Sequence, residues 1–343
     1  MITINDVAKK ANVSPSTVSR VLNNNSRISK ATSQRVLKVI NEMGYEPNIQ
    51  ARNFRKKETK IILVLVPNIT NPYYSHILSG ISDTARTLGY SSFICNTQGN
   101  LQQKIDALDM LVKKRADGAI MLATELGSTW LKRYADKYPI VQCSEYDPNI
   151  SINHVCIDNY EASCNVVEYL LSLGHKKIAT ISSTNKYIST IQRLEGYIDT
   201  LTKAGISYRE DYVRYAAEDY SFESGKESTL SLMNLDDPPT AIFCISDILA
   251  LGAILQVQSM GLDVPKDISI IGFDDVEQTT RYHPYVTTIT QPCFEIGQKA
   301  TQLLCNIIEQ QGLEKNEPSK HILPHKLIVR ETTSSCVGSN TIS

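Results

Sequence analysis

Apolar residues recur at two different spacings along this chain, and the change of spacing divides it into a head and a body. In the first 45 residues they fall three and four positions apart, which is the period of an amphipathic helix. From Ile61 onward, short apolar runs alternate with helical patterns, which is the order of a parallel sheet covered by helices. The pattern therefore predicts a small all-α head followed by an α/β body.

Three short helices are predicted in the head. The first, residues 4–11, begins after Thr3, whose hydroxyl can accept an amide hydrogen bond of the first turn. Ser14 and Pro15 then open a second helix after a tight turn, and a third helix is expected over residues 30–43. The side chains of the third helix that are predicted to face inward are Val36, Leu37 and Ile40.

The body is predicted to contain two similar series of strands and helices. The first series has the strands IILVLV, SSFICN, GAIMLA and PIVQCS, and the second has KIATIS, YVRYAA, TAIFCIS and DISIIGF. A late helix from about Phe294 to Gln311 and a last strand, HKLIVRET, complete the pattern. Strands that alternate with helices form parallel sheets, so we expect two α/β lobes, each built on a doubly wound parallel sheet.

The charge distribution separates the same two parts. Residues 1–60 carry 12 Lys+Arg and 4 Asp+Glu, whereas the rest of the chain carries 23 and 32, although the whole chain has a net charge of only −1. A basic head on an acidic body is the electrostatic pattern of a protein that binds nucleic acid through the head.

Several other classes of protein lack support in the sequence. The eight cysteines are scattered singly and most lie in apolar strands, which indicates reduced core residues in a cytoplasmic protein without a metal site. No apolar leader or run of about 18 apolar residues is found, so we expect neither export nor membrane insertion. The phosphate-binding patterns GxGxxG and GxxxxGK[ST] are missing, and no cofactor is expected.

The second helix has the composition of a groove reader. Its apolar side chains Val18, Val21 and Leu22 fall on one face, which leaves small hydroxyl side chains and Arg20 on the other. Short hydroxyls can approach bases and phosphates closely, and the planar guanidinium of Arg20 can pair with two acceptors of guanine. A helix-turn-helix that reads the major groove is therefore predicted.

The head pattern VAKKANVSPSTVSRVLNN, followed by EMGYEPNIQAR, closely resembles the LacI/GalR family of bacterial repressors. The resemblance continues through NPYY, RADGAI, VCIDN, LGHKKIA, QRLEGY, SDILALGA, ISIIGFDD and TTITQP, so it covers essentially the whole chain. It implies a helix-turn-helix domain over 1–46, a hinge helix or linker over 47–60, a body over 61–335 that binds effector and dimerises, and a polar tail over 336–343.

The resemblance also implies a division of the body like that of periplasmic sugar-binding proteins. The chain is expected to cross between lobes near Asn159, Gln291 and His321. Lobe one then covers about 61–159 and 291–321, and lobe two covers 160–290 and 322–335. The late helix therefore belongs to lobe one.

Candidate DNA contacts lie in the head and in the basic stretch behind it. By resemblance, that stretch folds on DNA as a hinge helix, and residue 54 is inserted into the minor groove at the operator centre, where Phe54 replaces the more usual Leu. A solvated linker is the alternative interpretation of the same stretch. The predicted contacts are Thr3, Ser14, Pro15, Ser16, Thr17, Ser19, Arg20, Asn23, Asn48, Arg52, Phe54 and Arg55.

Candidate effector contacts follow from the predicted sheets, because ligands of open parallel sheets bind beyond the carboxyl ends of the strands. The side chains there combine aromatic faces with carboxylates, amides and a guanidinium, which is the chemistry that recognises a polyol. Tyr73 and Tyr74 could instead be ordinary packing residues, and Asp158 and Asp247 could be helix caps. The predicted contacts are Asn71, Tyr73, Tyr74, Glu145, Asp158, Arg193, Tyr220, Ser246, Asp247, Asp274 and Gln291.

These features predict a transcriptional repressor that binds a palindromic operator as a homodimer and responds to a small molecule, expected to be a sugar or sugar derivative. The alternative within the family is a global carbon regulator that uses a phosphorylated phosphocarrier protein as corepressor. A transport protein would need an export signal and no basic head. A sugar-converting enzyme would need a catalytic signature such as GxSxG or HExxH, and neither is present.

Overall fold

The computed structural model describes residues 2–22, 27–45, 58–218, 220–310 and 317–336. The chain separates into two compact units, residues 1–59 and 60–343. The first is a three-helix head, and the second contains two parallel sheets with helices packed on their faces. The predicted combination of an all-α head with a two-lobed α/β body is confirmed.

The head consists of α1 (Ile4–Ala11), α2 (Pro15–Leu22) and α3 (Lys30–Met43). The predicted capping box is present at the start of α1, where the Thr3 hydroxyl accepts the Asp6 amide and the Asp6 carboxylate accepts the Thr3 amide. The expectation for Leu37 is wrong, because this side chain is 47% exposed. Val39 is buried in its place, since the inward stripe of α3 continues through positions 36, 39, 40 and 43.

Lobe one is built on a six-stranded parallel sheet. Its strands are β1 (Ile61–Val66), β2 (Ser91–Asn96), β3 (Gly118–Met121), β4 (Ile140–Cys143), β5 (Asn153–Ile157) and β11 (Lys320–Leu323). They lie in the order β11-β5-β4-β3-β1-β2, so β2 and β11 form the edges. β5 and β11 were not predicted from the sequence, because they are short and carry histidine, asparagine or lysine among their apolar residues.

Four helices accompany this sheet: α4 (Pro72–Thr87), α5 (Leu101–Val112), the short α6 (Lys132–Ala135) and α11 (Cys293–Glu309). The late helix α11 packs along α4, as expected for a lobe-one element. Gly80 makes this close approach possible, because a Cβ atom there would collide with the carbonyl oxygen of Phe294. Gly297 has the same role against Ile77 from the other helix.

Lobe two is built on a four-stranded parallel sheet in the order β7-β6-β8-β9. Its strands are β6 (Ile178–Ser183), β7 (Val213–Ala216), β8 (Ala241–Cys244) and β9 (Ser269–Ile271). The accompanying helices are α7 (Asn159–Ser172), α8 (Ile188–Lys203), α9 (Phe222–Met233) and α10 (Asp247–Ser259). Buried apolar side chains of both lobes belong to one continuous core cluster, which joins the lobes into a single unit.

Two further strands, β10 (Thr288–Thr290) and β12 (Lys326–Ile328), form an antiparallel pair outside both large sheets. The pair lies where the chain passes between the lobes, since β10 precedes α11 of lobe one and β12 follows β11 of the lobe-one sheet. None of the helices in the described ranges has the length and apolar character that a bilayer crossing requires.

Candidate effector-binding cleft

Polar and aromatic side chains from both lobes meet at the carboxyl ends of the parallel strands. Tyr73 comes from the start of α4, Glu145 follows β4, Arg193 lies on α8 and Asp274 follows β9. Gln291 follows β10 at the second passage between the lobes. These predicted site residues are joined by hydrogen bonds or charge, so the structure brings them together.

Arg193 is the central cation of this group, and its guanidinium is buried. Its Nε and Nη2 donate to Asn159 Oδ1 at 3.0 and 2.9 Å, its Nη1 donates to the Ile245 carbonyl at 2.6 Å, and its plane stacks on the Phe273 ring. These contacts use three of the five guanidinium N–H groups. The other two can therefore serve a ligand, in an orientation that the protein has already fixed.

Asp274 is the carboxylate beside Arg193, with 3.9 Å between its Oδ1 and Arg193 Nη1. Gln291 Nε2 donates to the same Oδ1 at 2.8 Å, and no hydrogen bond to Oδ2 is found among the described residues. Burial raises the pKa of Asp274 to about 7, although Arg193 and Gln291 both act to lower it. This carboxyl group is therefore ionised only in part at neutral pH and stands to gain from a further hydrogen-bond donor.

Gln291 connects Asp274 of lobe two to Tyr73 of lobe one. Its Oε1 lies 3.2 Å from the Tyr73 hydroxyl, which is in turn 2.9 Å from Ser144 Oγ. Asp274, Gln291, Tyr73 and Ser144 thus form a continuous polar chain from one lobe to the other. Burial holds the pKa of Tyr73 well above its usual value, so its hydroxyl stays protonated in this chain.

A second polar contact joins the lobes through Glu145. This carboxylate, which follows β4 of lobe one, accepts hydrogen bonds from the hydroxyl of Ser189 at 2.5 Å and from its amide at 3.2 Å, at the start of α8 of lobe two. The Leu126 amide also donates to the Lys186 carbonyl between the lobes, at 2.9 Å. Burial raises the pKa of Glu145, opposed by the Ser189 hydrogen bond and by Arg193.

Aromatic side chains line the same region. The rings of Tyr73 and Tyr74 pack edge to face, with 5.2 Å between centroids, and both are buried. The Tyr220 hydroxyl lies 2.7 Å from Thr190 Oγ1, and burial together with the Glu145 charge raises the pKa of Tyr220 to about 12. These rings offer apolar faces beside the carboxylates, as a sugar requires.

Four predicted contact residues have another local role. Asn71, Asp158 and Ser246 are the N-caps of α4, α7 and α10, where their side chains accept amide hydrogen bonds. Asp247 is 0% exposed, and both of its carboxylate oxygens accept hydrogen bonds, from the Thr288 hydroxyl at 2.6 Å and the Val276 amide at 2.9 Å. It braces the loop that carries Asp274.

A cavity of about 490 Å³ adjoins this cluster. Tyr73, Asp274 and Gln291 form part of its wall, and His76, Phe294 and Lys326 form another part. The volume falls within the range of small-molecule sites in proteins. Among the described residues, no three His, Cys, Asp or Glu side chains converge as a metal-ligand group would.

Three further residues shape this cluster and were not predicted from the sequence. Asn159 accepts a hydrogen bond from Arg193, and Ser189 donates one to Glu145. The Phe273 ring packs against the Arg193 guanidinium. Asn159 and Phe273 are direct neighbours of the predicted Asp158 and Asp274, so adjacency was the available signal. Ser189 had no comparable signal, because a serine at a helix start usually acts as a cap.

In the head, Ser14, Pro15, Ser16 and Arg20 are exposed, and Thr17 and Ser19 are half-buried. The Ser14 hydroxyl lies 2.8 Å from Ser16 Oγ and 2.9 Å from Thr17 Oγ1, and it accepts the Thr17 amide. This network fixes the orientation of the hydroxyls at the start of α2. The predicted contacts Asn23, Asn48, Arg52, Phe54 and Arg55 lie outside the described residues, as does most of the predicted hinge.

The fold and the cleft define a class of protein: a small helix-turn-helix unit joined to a two-lobed ligand-binding body. The family described as bacterial regulatory proteins, lacI family, matches residues 3–48. Residues 59–331 match the family of periplasmic binding proteins and the sugar-binding domain of the LacI family. The chain belongs to the LacI family, a family of DNA-binding transcriptional regulators.

Individual relatives agree with this assignment over nearly the full length. The HTH-type transcriptional repressor CytR of Escherichia coli strain K12 is 38% identical over 332 residues, which cover 96% of each chain. Catabolite control protein A of Priestia megaterium is 34% identical over 336 residues, covering 97% of this chain and 99% of that protein. The lac repressor dimer bound to operator and the anti-inducer ONPF has a TM-score of 0.87 and 28% identity, covering 97% of this chain and 99% of that one.

Proposed function

We propose that the chain is a transcriptional repressor whose affinity for a palindromic operator is set by a small polyol, a sugar or sugar derivative, bound between the two lobes. The observation that carries the proposal is the buried pair Arg193 and Asp274, which presents two N–H groups and a carboxylate oxygen beside aromatic rings. Sugar hydroxyls both donate and accept, so they can satisfy both sides of this pair. The match to the LacI sugar-binding domain supports the same class of ligand.

Each cleft residue is assigned a role in this proposal. Arg193 donates to sugar hydroxyls, Asp274 and Glu145 accept from them, and Tyr73, Tyr74 and Tyr220 pack against the apolar face of the ring. Gln291 links the bound sugar to both lobes. Asn71, Asp158 and Ser246 act first as caps that position these side chains, with any direct contact to the ligand as a secondary role.

A thermal-shift screen tests this proposal with D-ribose, D-glucose, D-galactose, cellobiose and their amino and deoxy derivatives. A ligand present at 100 times its dissociation constant stabilises the protein by about 2.7 kcal/mol. Arg193→Lys keeps the charge but loses the planar donor pair, so we expect a binding sugar to lose at least tenfold in affinity. Asp236→Asn, an exposed carboxylate on another surface, is the matched control. Equal affinity in all three proteins would contradict the assigned site.

Two copies are proposed to bind one near-palindromic operator, because one small head reads too few base pairs for selectivity. The edge strand β2 exposes Phe93 and Ile94, at 52% and 39%, and such apolar side chains suit contact with a second copy. We expect Phe93→Asp to convert the dimer to monomer in sedimentation experiments. Val329→Asp, at another exposed apolar residue, should leave the mass unchanged.

Operator recognition is assigned to the start of α2 and to the segment containing Phe54. Gel shifts at fixed salt, with a selected palindrome and with random duplex, separate the two contributions. Phe54→Ala should weaken specific binding more than nonspecific binding, because an inserted side chain acts only where the duplex is kinked. An equal loss on both duplexes would refute the insertion.

The second candidate function, a global carbon regulator with a phosphorylated phosphocarrier protein as corepressor, is not favoured. Catabolite control protein A is similar to this chain, but so is the repressor CytR, with 38% rather than 34% identity at similar coverage. A pull-down with the phosphorylated carrier would decide between them, since only the second candidate predicts capture. A catalytic role is likewise not proposed, because regulators of this family bind DNA and small molecules.

A further inference from the structure

The loop that carries Asp274 has an unusual backbone. Asp274 has a φ of 113° and Asp275 a φ of 57°, so two successive residues with side chains occupy the left-handed region. Such a conformation costs free energy and persists only where surrounding contacts enforce it. The loop is therefore held by other parts of the molecule.

Arg330, which follows β12, makes several side-chain contacts with this loop and the segment behind it. Its Nη2 donates to Asp275 Oδ1 at 2.6 Å, and its Nη1 donates to Thr279 Oγ1 at 3.0 Å and to the Val286 carbonyl at 2.9 Å. The ion pair is largely removed from water, with side-chain exposures of 17% for Arg330 and 22% for Asp275. One guanidinium thus ties three points of the segment 275–286 to the third passage between the lobes.

Backbone amides of the loop are also held, and the Asp275 amide itself donates to Thr288 Oγ1 at 3.4 Å. The Asp274 amide donates to the Ile289 carbonyl at 2.9 Å, and the Val276 amide donates to Asp247 Oδ2 at 2.9 Å. The Asp275 side chain between them has Arg330 as its charged partner. Loss of the Arg330 guanidinium would leave the Asp275 carboxylate, which has low exposure, without its charged partner. The left-handed backbone at Asp275 would then relax.

We propose that Arg330 is a positioning residue for the effector site, which holds Asp274 toward Arg193 by fixing the strained backbone at Asp275. Arg330 itself does not touch the bound molecule. The inference rests on the proposed role of Asp274 in the cleft. It adds that the response to an effector depends on an ion pair at the crossover strands, outside the cleft.

Amide hydrogen exchange of the full-length protein, measured by mass spectrometry, tests the positioning without any ligand. We expect Arg330→Gln to accelerate exchange at residues 274–276 at least tenfold, with far smaller changes in the peptides of β1 and β6. Arg330→Lys, which restores the charge, should recover part of the protection. Arg281→Gln breaks an exposed pair with Glu277 on the neighbouring surface and should change nothing at 274–276. Unchanged exchange in Arg330→Gln would overturn the proposal.

A binding arm separates this inference from the proposed function. The sugars of the screen, from D-ribose to cellobiose, are titrated against wild type, Arg330→Gln, Arg330→Lys and Arg281→Gln. A sugar that binds wild type should lose at least tenfold in affinity in Arg330→Gln and regain part of it in Arg330→Lys. Binding that is equal in all four proteins would refute the positioning role while leaving the cleft assignment intact. Accelerated exchange combined with no binding by any sugar would instead count against the proposed effector class.

Discussion

Replacement of Asp274 by asparagine should stabilise the protein at neutral pH, although it removes a charged residue beside Arg193. Burial raises the pKa of Asp274 to about 7 from an ordinary value of 3.8. The folded state therefore keeps a proton between pH 4 and 7 that the unfolded chain releases, so wild-type stability falls as the pH rises through this window. Asparagine cannot ionise, and Gln291 can still donate to its carbonyl oxygen.

The size of the effect follows from the pKa difference. A rise in the pKa from 3.8 to about 7 corresponds to a gain on the order of a few kcal/mol above pH 7. The gain of Asp274→Asn over wild type should be near zero at pH 4, grow up to pH 7 and then level off.

Thermal unfolding followed by circular dichroism at pH 4, 5, 6, 7 and 8 measures this dependence. Asp236→Asn, at an exposed position, serves as the control for the general effect of removing a negative charge. The reasoning is refuted if Asp274→Asn is destabilised equally at all five pH values, because that would mean the carboxylate is ionised and satisfied throughout. The same variant should lose affinity for any sugar that binds wild type, so stability and binding move in opposite directions.

Three further outcomes follow from local contacts. Asp247→Ala should lower the free energy of unfolding by about 3 kcal/mol, because it leaves the Thr288 hydroxyl and the Val276 amide without their hydrogen-bond acceptor. A loss below about 1 kcal/mol in denaturant titrations would argue against the bracing role. Gly80→Ala should lower the free energy of unfolding by about 2 kcal/mol or more, because the new Cβ would collide with the Phe294 carbonyl between α4 and α11. Gly89→Ala is the control: nothing lies near its Cβ, so it tests only the left-handed backbone conformation. Thr3→Ala removes the capping box of α1 and should destabilise the head by about 1 kcal/mol, which would be measured as faster amide exchange in α1. Thr3→Ser keeps the hydroxyl and should behave like wild type.

The sequence predicts the architecture well where a strong periodicity is repeated. Four strands of each lobe and the long helices follow from alternating apolar runs, whereas β5 and β11 were missed because polar residues interrupt them. The structure has a single 3-10 turn at residues 129–131 followed by the short α6. Short elements held by tertiary contacts leave little periodic signal.

The candidate site shows a different limit. Asp158, Asp247 and Asp274 all follow strands of the structure, yet one caps a helix, one braces a loop and one faces the cleft. The backbone geometry decides among these roles, and Asp274, with its φ of 113°, makes a long-range hydrogen bond with Gln291. A single sequence does not encode this contact in any local pattern. Residue type therefore predicts candidates for the site but not the role of each one.

Under the proposed function, a polyol bound in the cleft acts by having different affinities for two arrangements of the lobes. A ligand shifts a conformational equilibrium only through a difference in its affinity for the two states, and a tenfold difference requires about 1.4 kcal/mol. Glu145 already bridges to Ser189 across the lobes, and Gln291 links Asp274 to Tyr73. A hydroxyl that donates to either carboxylate must compete with or reinforce one of these bridges. Since one good hydrogen bond to a charged group contributes about 1.5–3 kcal/mol, a single such exchange is enough to couple occupancy of the cleft to the relative position of the lobes.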